Sequence, residues 1–228
     1  LDLTIEDSLV DAILEIWYPG TSGGLGVADI LFGKYNPSGK LPITFPRNLG
    51  QVPIYYNVKN TGRPISKDNP TEDYKSNYID SPNTPLYPFG HGLSYTTFEY
   101  SEIKLSNNKV RESEILKVSS IITNTGEYDG HEIVQLYIND KVASITRPVK
   151  ELKGFKRGSL NPGELKEIIF ELDKSAFAYY DTEMNYIIEA GQFDILVGNS
   201  SREEDLKKID FNIKNCLLYT SPSPRDRQ

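Results

Sequence analysis

The chain has 228 residues, 38% hydrophobic and 25% charged, which suits a globular protein with a real core rather than a disordered one. A net charge of −7 and a pI of about 5.0 make nucleic acid and anionic membrane surfaces poor partners. The single cysteine, Cys216, rules out a disulfide framework within the chain and a cysteine-based metal site, and no apolar run is long enough to span a bilayer.

Residues 1–46 have α/β character. The opening, LDLTIEDSLVDAIL, lacks the basic-then-apolar pattern of a signal peptide and reads as the middle of a domain. Ala12 to Trp17 reads as a short buried strand ended by Pro19-Gly20. Thr21 or Ser22 is a helix N-cap candidate, the apolar spacing from Gly24 to Phe32 predicts a helix, and Gly33 stands where a C′ glycine would end it. Pro37-Ser38-Gly39 signals a turn, and Leu41 to Pro46 an extended segment suited to a sheet edge. Gly20, Gly23, Gly24 and Gly26 allow a tight turn and close helix–sheet contact. The rival reading, a phosphate-cradling loop, lacks a following Lys-Ser/Thr and the full dinucleotide spacing.

Residues 47–99 form an irregular connector rich in proline (Pro53, Pro64, Pro70, Pro82, Pro85, Pro88) with few periodic apolar runs. Structureless stretches this long tend to be functional, and this one is expected to pack against something larger. From about Tyr100 the hydrophobic period becomes two. Strands are expected over Glu114–Ile122, Ile133–Ile138, Leu152–Phe155, Leu165–Leu172 and Ile209–Ile213, with Asn124-Thr125-Gly126 and Pro162-Gly163 as turns. Tyr186–Glu189 and Phe193–Val197 are expected to pair as a hairpin across Ala190-Gly191. Residues 100–215 therefore predict a β-sandwich without a disulfide pin. Residues 216–228, CLLYTSPSPRDRQ, break the pattern and are expected to be disordered; they resemble translated adapter or frameshifted sequence more than natural protein.

The segment AILEIWYPGTSGGLGVADILFGKYNPSGKLPITFP (12–46) resembles the end of the α/β sandwich domain of family 3 glycoside hydrolases. VPIYYNVKNTGRP (52–64) and PLYPFGHGLSYTTFEY (85–100) resemble the stretch that follows it in the family's β-glucosidases. ITNTG (122–126), EIVQLYIND (132–140), RPVKELKGF (147–155), NPGE (161–164) and GQFDILVGNSS (191–201) resemble its C-terminal fibronectin type III-like domain. The resemblance implies a mixed fold: the end of an α/β sandwich domain over 1–46, the connector, then an all-β, immunoglobulin-like sandwich. It also implies part of a retaining exo-β-glycosidase that needs neither metal nor organic cofactor, acts on an oligosaccharide or β-glucoside, and works in the periplasm or outside the cell.

Such hydrolysis uses two carboxyl groups about 5–5.5 Å apart. The resemblance places the nucleophilic Asp on an N-terminal barrel and the acid/base Glu in the preceding half of the sandwich domain, so neither maps onto this chain and no catalytic residue is assigned. Replacements are weighed against structural roles: Glu15 in the expected strand, Glu72, Asp73 and Asp80 as solvated loop charges, and Asp140, Glu151 and Asp181 on the surface of the β-sandwich. The candidates for a substrate-facing role are Tyr78, Asp80, Tyr87, Phe89 and His91, which combine aromatic faces with hydrogen-bonding groups suited to sugar rings; packing of the domain junction is the other reading. His91 and His131 are too far apart in sequence for a metal-ligand spacing. A non-catalytic fibronectin-like assembly or carbohydrate-binding module remains the alternative from another class.

Overall fold

The computed structural model describes residues 2–64, 74–110 and 114–214. Glu72, Asp73 and the tail with Cys216 lie outside them. Helix α1 spans Thr4–Leu9 and α2 spans Gly23–Leu31. Ser22 is the N-cap of α2, Phe32 its C-cap, and Gly33 follows with φ 71°, the left-handed conformation that ends helices and favours glycine. Gly23 is needed at the first turn because a Cβ there would lie 2.4 Å from the Pro19 side chain, whereas Gly24 and Gly26 face open space. The close contact expected at those two glycines is therefore not made with any described residue.

Ala12–Trp17 is not a strand. It runs without a ladder partner, and Ile13, Leu14, Ile16 and Trp17 are exposed. An extended segment becomes a strand only when a neighbour takes its backbone hydrogen bonds, and no described residue does. Glu15 is accordingly half-exposed and accepts a bond from its own Trp17 backbone N–H (2.8 Å). The 41–46 segment does find a partner: Phe45 bridges Tyr87, and Leu41 and His91 are joined through a backbone bond of 2.8 Å.

The strands are β1 (Phe98–Tyr100), β2 (Lys104–Leu105), β3 (Lys109–Val110), β4 (Leu116–Asn124), β5 (Gly130–Asp140), β6 (Glu151–Leu160), β7 (Leu165–Leu172), β8 (Tyr179–Tyr180), β9 (Tyr186–Ile187), β10 (Gly191–Gly198) and β11 (Leu206–Ile213). One sheet runs β1-β4-β2, with β7 also paired to β4; the other runs β3-β11-β10-β5-β6. Leu116, Val118 and Ile122 of β4 meet Val134, Leu136, Ile138, Ile195, Val197 and Phe211 of the facing sheet in one core. Alternation is the cause: β4 buries every second residue and turns Lys117 to solvent. Asn124 closes the expected turn from inside, its amide donating to the carbonyls of Tyr128 (2.7 Å) and Leu160 (3.1 Å) while its oxygen accepts from the Thr96 hydroxyl (2.6 Å).

Two further expectations are corrected. Tyr186–Glu189 does not pair with Phe193–Val197. Both edges of β10 are taken, by β5 and β11, so β9 pairs instead with β8 in a separate ribbon. Asp140 is not on the surface: its side chain is 3% exposed and faces Arg147, 3.6 Å away, because the β5–β6 connection folds back over it. Burial raises the Asp140 carboxyl above its ordinary range, against the pull of Arg147.

Strand β5 is buried on both faces. Val134 to Ile138 are all covered, yet only Val134, Leu136 and Ile138 point into the sandwich core. Gln135 and Tyr137 face the connector, which packs over the outside of the sheet. A near-continuous apolar run is what a strand covered on both sides requires.

Candidate functional site

Pro88 to His91 forms a tight turn closed by the His91 N–H and the Pro88 carbonyl (3.1 Å). Gly90 at its third position has φ 79°, which a non-glycine residue adopts only under strain. A Cβ there would also strike Gln135 at 2.0 Å. The turn sends Phe89 one way and Tyr87 and His91 the other. Phe89 stacks on Tyr56 at 4.3 Å, and Tyr56 in turn meets Tyr137 of β5 edge-on at 5.8 Å. Tyr87 and His91 stack on each other at 5.4 Å with planes 13° apart. Phe45 packs edge-on to Tyr87 (6.4 Å), and Trp17 packs against Phe45 (6.2 Å). Four rings thus run in a row, Trp17–Phe45–Tyr87–His91, held by the short pairing of 41–45 with 86–91.

The polar ends of this row are set by its neighbours. The Tyr87 hydroxyl donates to the Asp7 carboxylate; burial and then that carboxylate push the phenol up to about 12. His91 is held below its ordinary 6.5, first by burial, then by the Arg202 and Lys40 charges, with Asp205 opposing them. Tyr78 is apart from the row: its hydroxyl donates to the Gln51 carbonyl (3.2 Å) and its N–H to Asn83 Oδ1 (3.1 Å). Asp80 is exposed on the same loop as Tyr78. The five sequence-selected residues therefore divide into a stacked pair, a junction ring and an outlying loop pair.

A clamp that the sequence reading did not single out fixes the turn to the β-sandwich. Gln135 Nε2 donates to the carbonyls of Gly90 (3.0 Å) and Asn199 (2.7 Å), and its oxygen accepts from the Tyr137 hydroxyl (2.5 Å). Ser201 N–H donates to the Phe89 carbonyl (2.9 Å). Nearby, Lys40 pairs with Glu132 at 3.3 Å, side chains 10% and 3% exposed, and Tyr100 donates to the same carboxylate (2.8 Å). Gly92 is a point of close approach, since a Cβ there would lie 2.1 Å from the Gly39 carbonyl oxygen. A polar residue on the outward row of an otherwise apolar run, EIVQLYI, was the signal available for Gln135; its carbonyl partners lie 45 and 64 residues away.

The other carboxylates have structural partners. Glu151 takes Arg147 at 2.5 Å and Lys153 at 3.5 Å. Asp181 accepts from the N–H groups of Glu183 (2.8 Å) and Asn185 (2.9 Å), shaping the β8–β9 turn. Asp194 and Asp210 share Lys141 at 2.9 and 3.2 Å. Among the described residues, no group of three or more His, Cys, Asp or Glu is placed to hold a metal ion, and no helix is long and apolar enough to cross a membrane.

Residues 2–95 match the family model of the glycosyl hydrolase family 3 C-terminal domain, and residues 132–201 that of the fibronectin type III-like domain. A periplasmic β-glucosidase of Salmonella typhimurium is 48% identical over 88% of this chain and 26% of its own length. A putative β-xylosidase of Formosa agariphila is 42% identical over 90% of the chain and 25% of its own. The crystal structure of Listeria innocua β-glucosidase in complex with gluconolactone superimposes with a TM-score of 0.90 at 42% identity, covering 94% of this chain and 29% of that one. The chain thus spans about a quarter of the length of the curated relatives it matches. With the row of rings and the sandwich that braces it, these matches place the chain in glycoside hydrolase family 3, as its C-terminal domain joined to a fibronectin type III-like β-sandwich.

Proposed function

We propose that this chain is the C-terminal part of a retaining exo-β-glycosidase of the β-glucosidase class, which releases terminal β-glucosyl residues. The chemistry comes from an upstream barrel and the preceding half of the sandwich domain; the described residues brace that assembly and border its active-site mouth. The observation that carries the reading is identity of 42–48% to glycosidases across nearly the whole chain, while the chain spans only a quarter of them. Xylosidase names among the relatives support a second sugar, a terminal β-xylosyl residue. The periplasmic relative supports a periplasmic or secreted location.

The rim assignment rests on Tyr87 and His91, whose stack continues through Phe45 to the exposed Trp17 ring, with Tyr78 and Asp80 on a separate loop. Phe89 serves the junction beneath them. Apolar side chains crowd the same N-terminal part, Tyr18 100% and Phe32 87% exposed, as a surface meant for covering would be. A free-standing binding module, the rival class, would not need such a face.

Hydrolysis of an aryl β-glucoside by residues 1–215 is the test. The expected result is no turnover, with activity appearing once the upstream coding sequence is added. Turnover by residues 1–215 alone would place a carboxylate pair within them and overturn the division of labour, with Asp80 the first position to substitute.

A further inference from the structure

Between the end of α2 and the start of β5 lies a cleft of about 430 Å³, separate from the row of rings described above. Its volume falls within the usual range of small-molecule sites. Tyr35, Tyr95 and Tyr128 line it, 42%, 47% and 60% exposed, together with Asp129 and His131.

The cleft is built rather than incidental. Asn36 ties its three walls together: the amide donates to the Asp129 carbonyl (2.8 Å), and the oxygen accepts from the Ser94 hydroxyl and the Tyr95 N–H (both 2.8 Å). Two rings are held by their own hydroxyls. Tyr95 donates to the Ile30 carbonyl (2.8 Å), and Tyr35 accepts from Arg157 (2.7 Å). Tyr35 lies nearly parallel to the His131 ring, 6.4 Å between centroids and 20° between planes. Aromatic faces fixed before a ligand arrives lose little freedom on binding. Lys34 is drawn off to Asp29 at 3.1 Å, which leaves Asp129 as the carboxylate lining the cleft, a poor host for an anion.

We infer that this cleft binds a neutral pyranose unit of a saccharide, stacking the C–H face of the ring on Tyr128 and Tyr95 and offering Asp129 and His131 to its hydroxyls. Exposed tyrosine faces at Tyr95 and Tyr128, with a carboxylate and an imidazole beside them, match the C–H face and the hydroxyls of a sugar ring. The inference leans on the proposed glycosidase reading only for the choice of probes. Binding is read on this chain without turnover, so its failure leaves that reading standing.

The experiment is titration of the chain with cellobiose and with xylobiose, followed by NMR at the resonances of Tyr128, Asp129 and His131. Saturable shifts confined to the cleft are expected with at least one disaccharide. Tyr128→Ala should weaken binding roughly three- to tenfold, the equivalent of one aromatic contact. Asp129→Asn, which keeps the shape, should weaken it as well. Both positions are exposed turn residues, and amide dispersion will report that the variants fold. No saturation with either sugar, equal affinity in Tyr128→Ala, shifts mapping elsewhere, or tighter binding of choline than of both disaccharides would each overturn the inference.

Discussion

His91 illustrates how one packed residue acquires a pH dependence. Burial and the Arg202 and Lys40 charges hold its folded pKa below 6.5, so the unfolded chain binds the proton more readily. The stability this supplies is complete above about 6.5 and is lost as pH falls through the folded value. We expect the melting temperature to drop between pH 7 and pH 5. His91→Phe, which keeps the stack on Tyr87, should flatten that slope in matched thermal melts. An unchanged slope would mean that other groups carry it. Gly90→Ala tests backbone and packing at once: a left-handed conformation costs an L residue roughly 1–2 kcal/mol, and the new methyl would meet Gln135. A loss above about 2 kcal/mol in denaturant unfolding is the expected outcome.

At the scale of elements, β5 does more than fill the sandwich. Its inward row makes the core, and its outward row, Gln135 and Tyr137, receives the connector. Replacing Gln135 with Leu keeps approximate volume but leaves the Gly90 and Asn199 carbonyls without their donor. Each orphaned buried group costs roughly 1–3 kcal/mol, so chemical denaturation should show a loss in or above that range, whereas Tyr137→Phe, removing one hydroxyl, should cost less. Short β8 and β9 make the opposite point. Among the described residues they pair only with each other, and the Asp181 turn shapes their connection.

Taken as a whole, the molecule is unevenly held. Residues 35–64 and 84–96 are fastened to the sandwich by Asn36, Lys40, Gln135 and the Lys59–Pro148 bridge. Residues 2–32 have no buried side chain in either helix. From sequence alone, a protease-resistant core is expected to begin near Tyr100; the clamps move that expectation back to about residue 35. Limited proteolysis with mass analysis checks it, with early cleavage between residues 10 and 32 expected and early cleavage between 36 and 60 counting against it. Addition of the upstream part should then protect residues 2–32 by covering their apolar side chains.

The sequence by itself determined what depends on neighbours a few residues apart. The C′ glycine of α2, the alternation of β4, the bounds of β7 and the Asn124 turn all follow from local period and local sterics, and the two-sheet sandwich follows from their sum. It also singled out the aromatic segment 87–91, though not how its rings divide. Only the tertiary structure decided the choices made by competition among distant segments: which strand takes the edges of β10, whether Ala12–Trp17 finds a partner, and whether Asp140 is covered. The same holds for the turn at Gly90, which sends Phe89 into the junction and Tyr87 and His91 outward. Hydrophobic spacing encodes which side of a segment wants to be buried, but not against what, because the partner's identity lies in long-range contacts that no local pattern records.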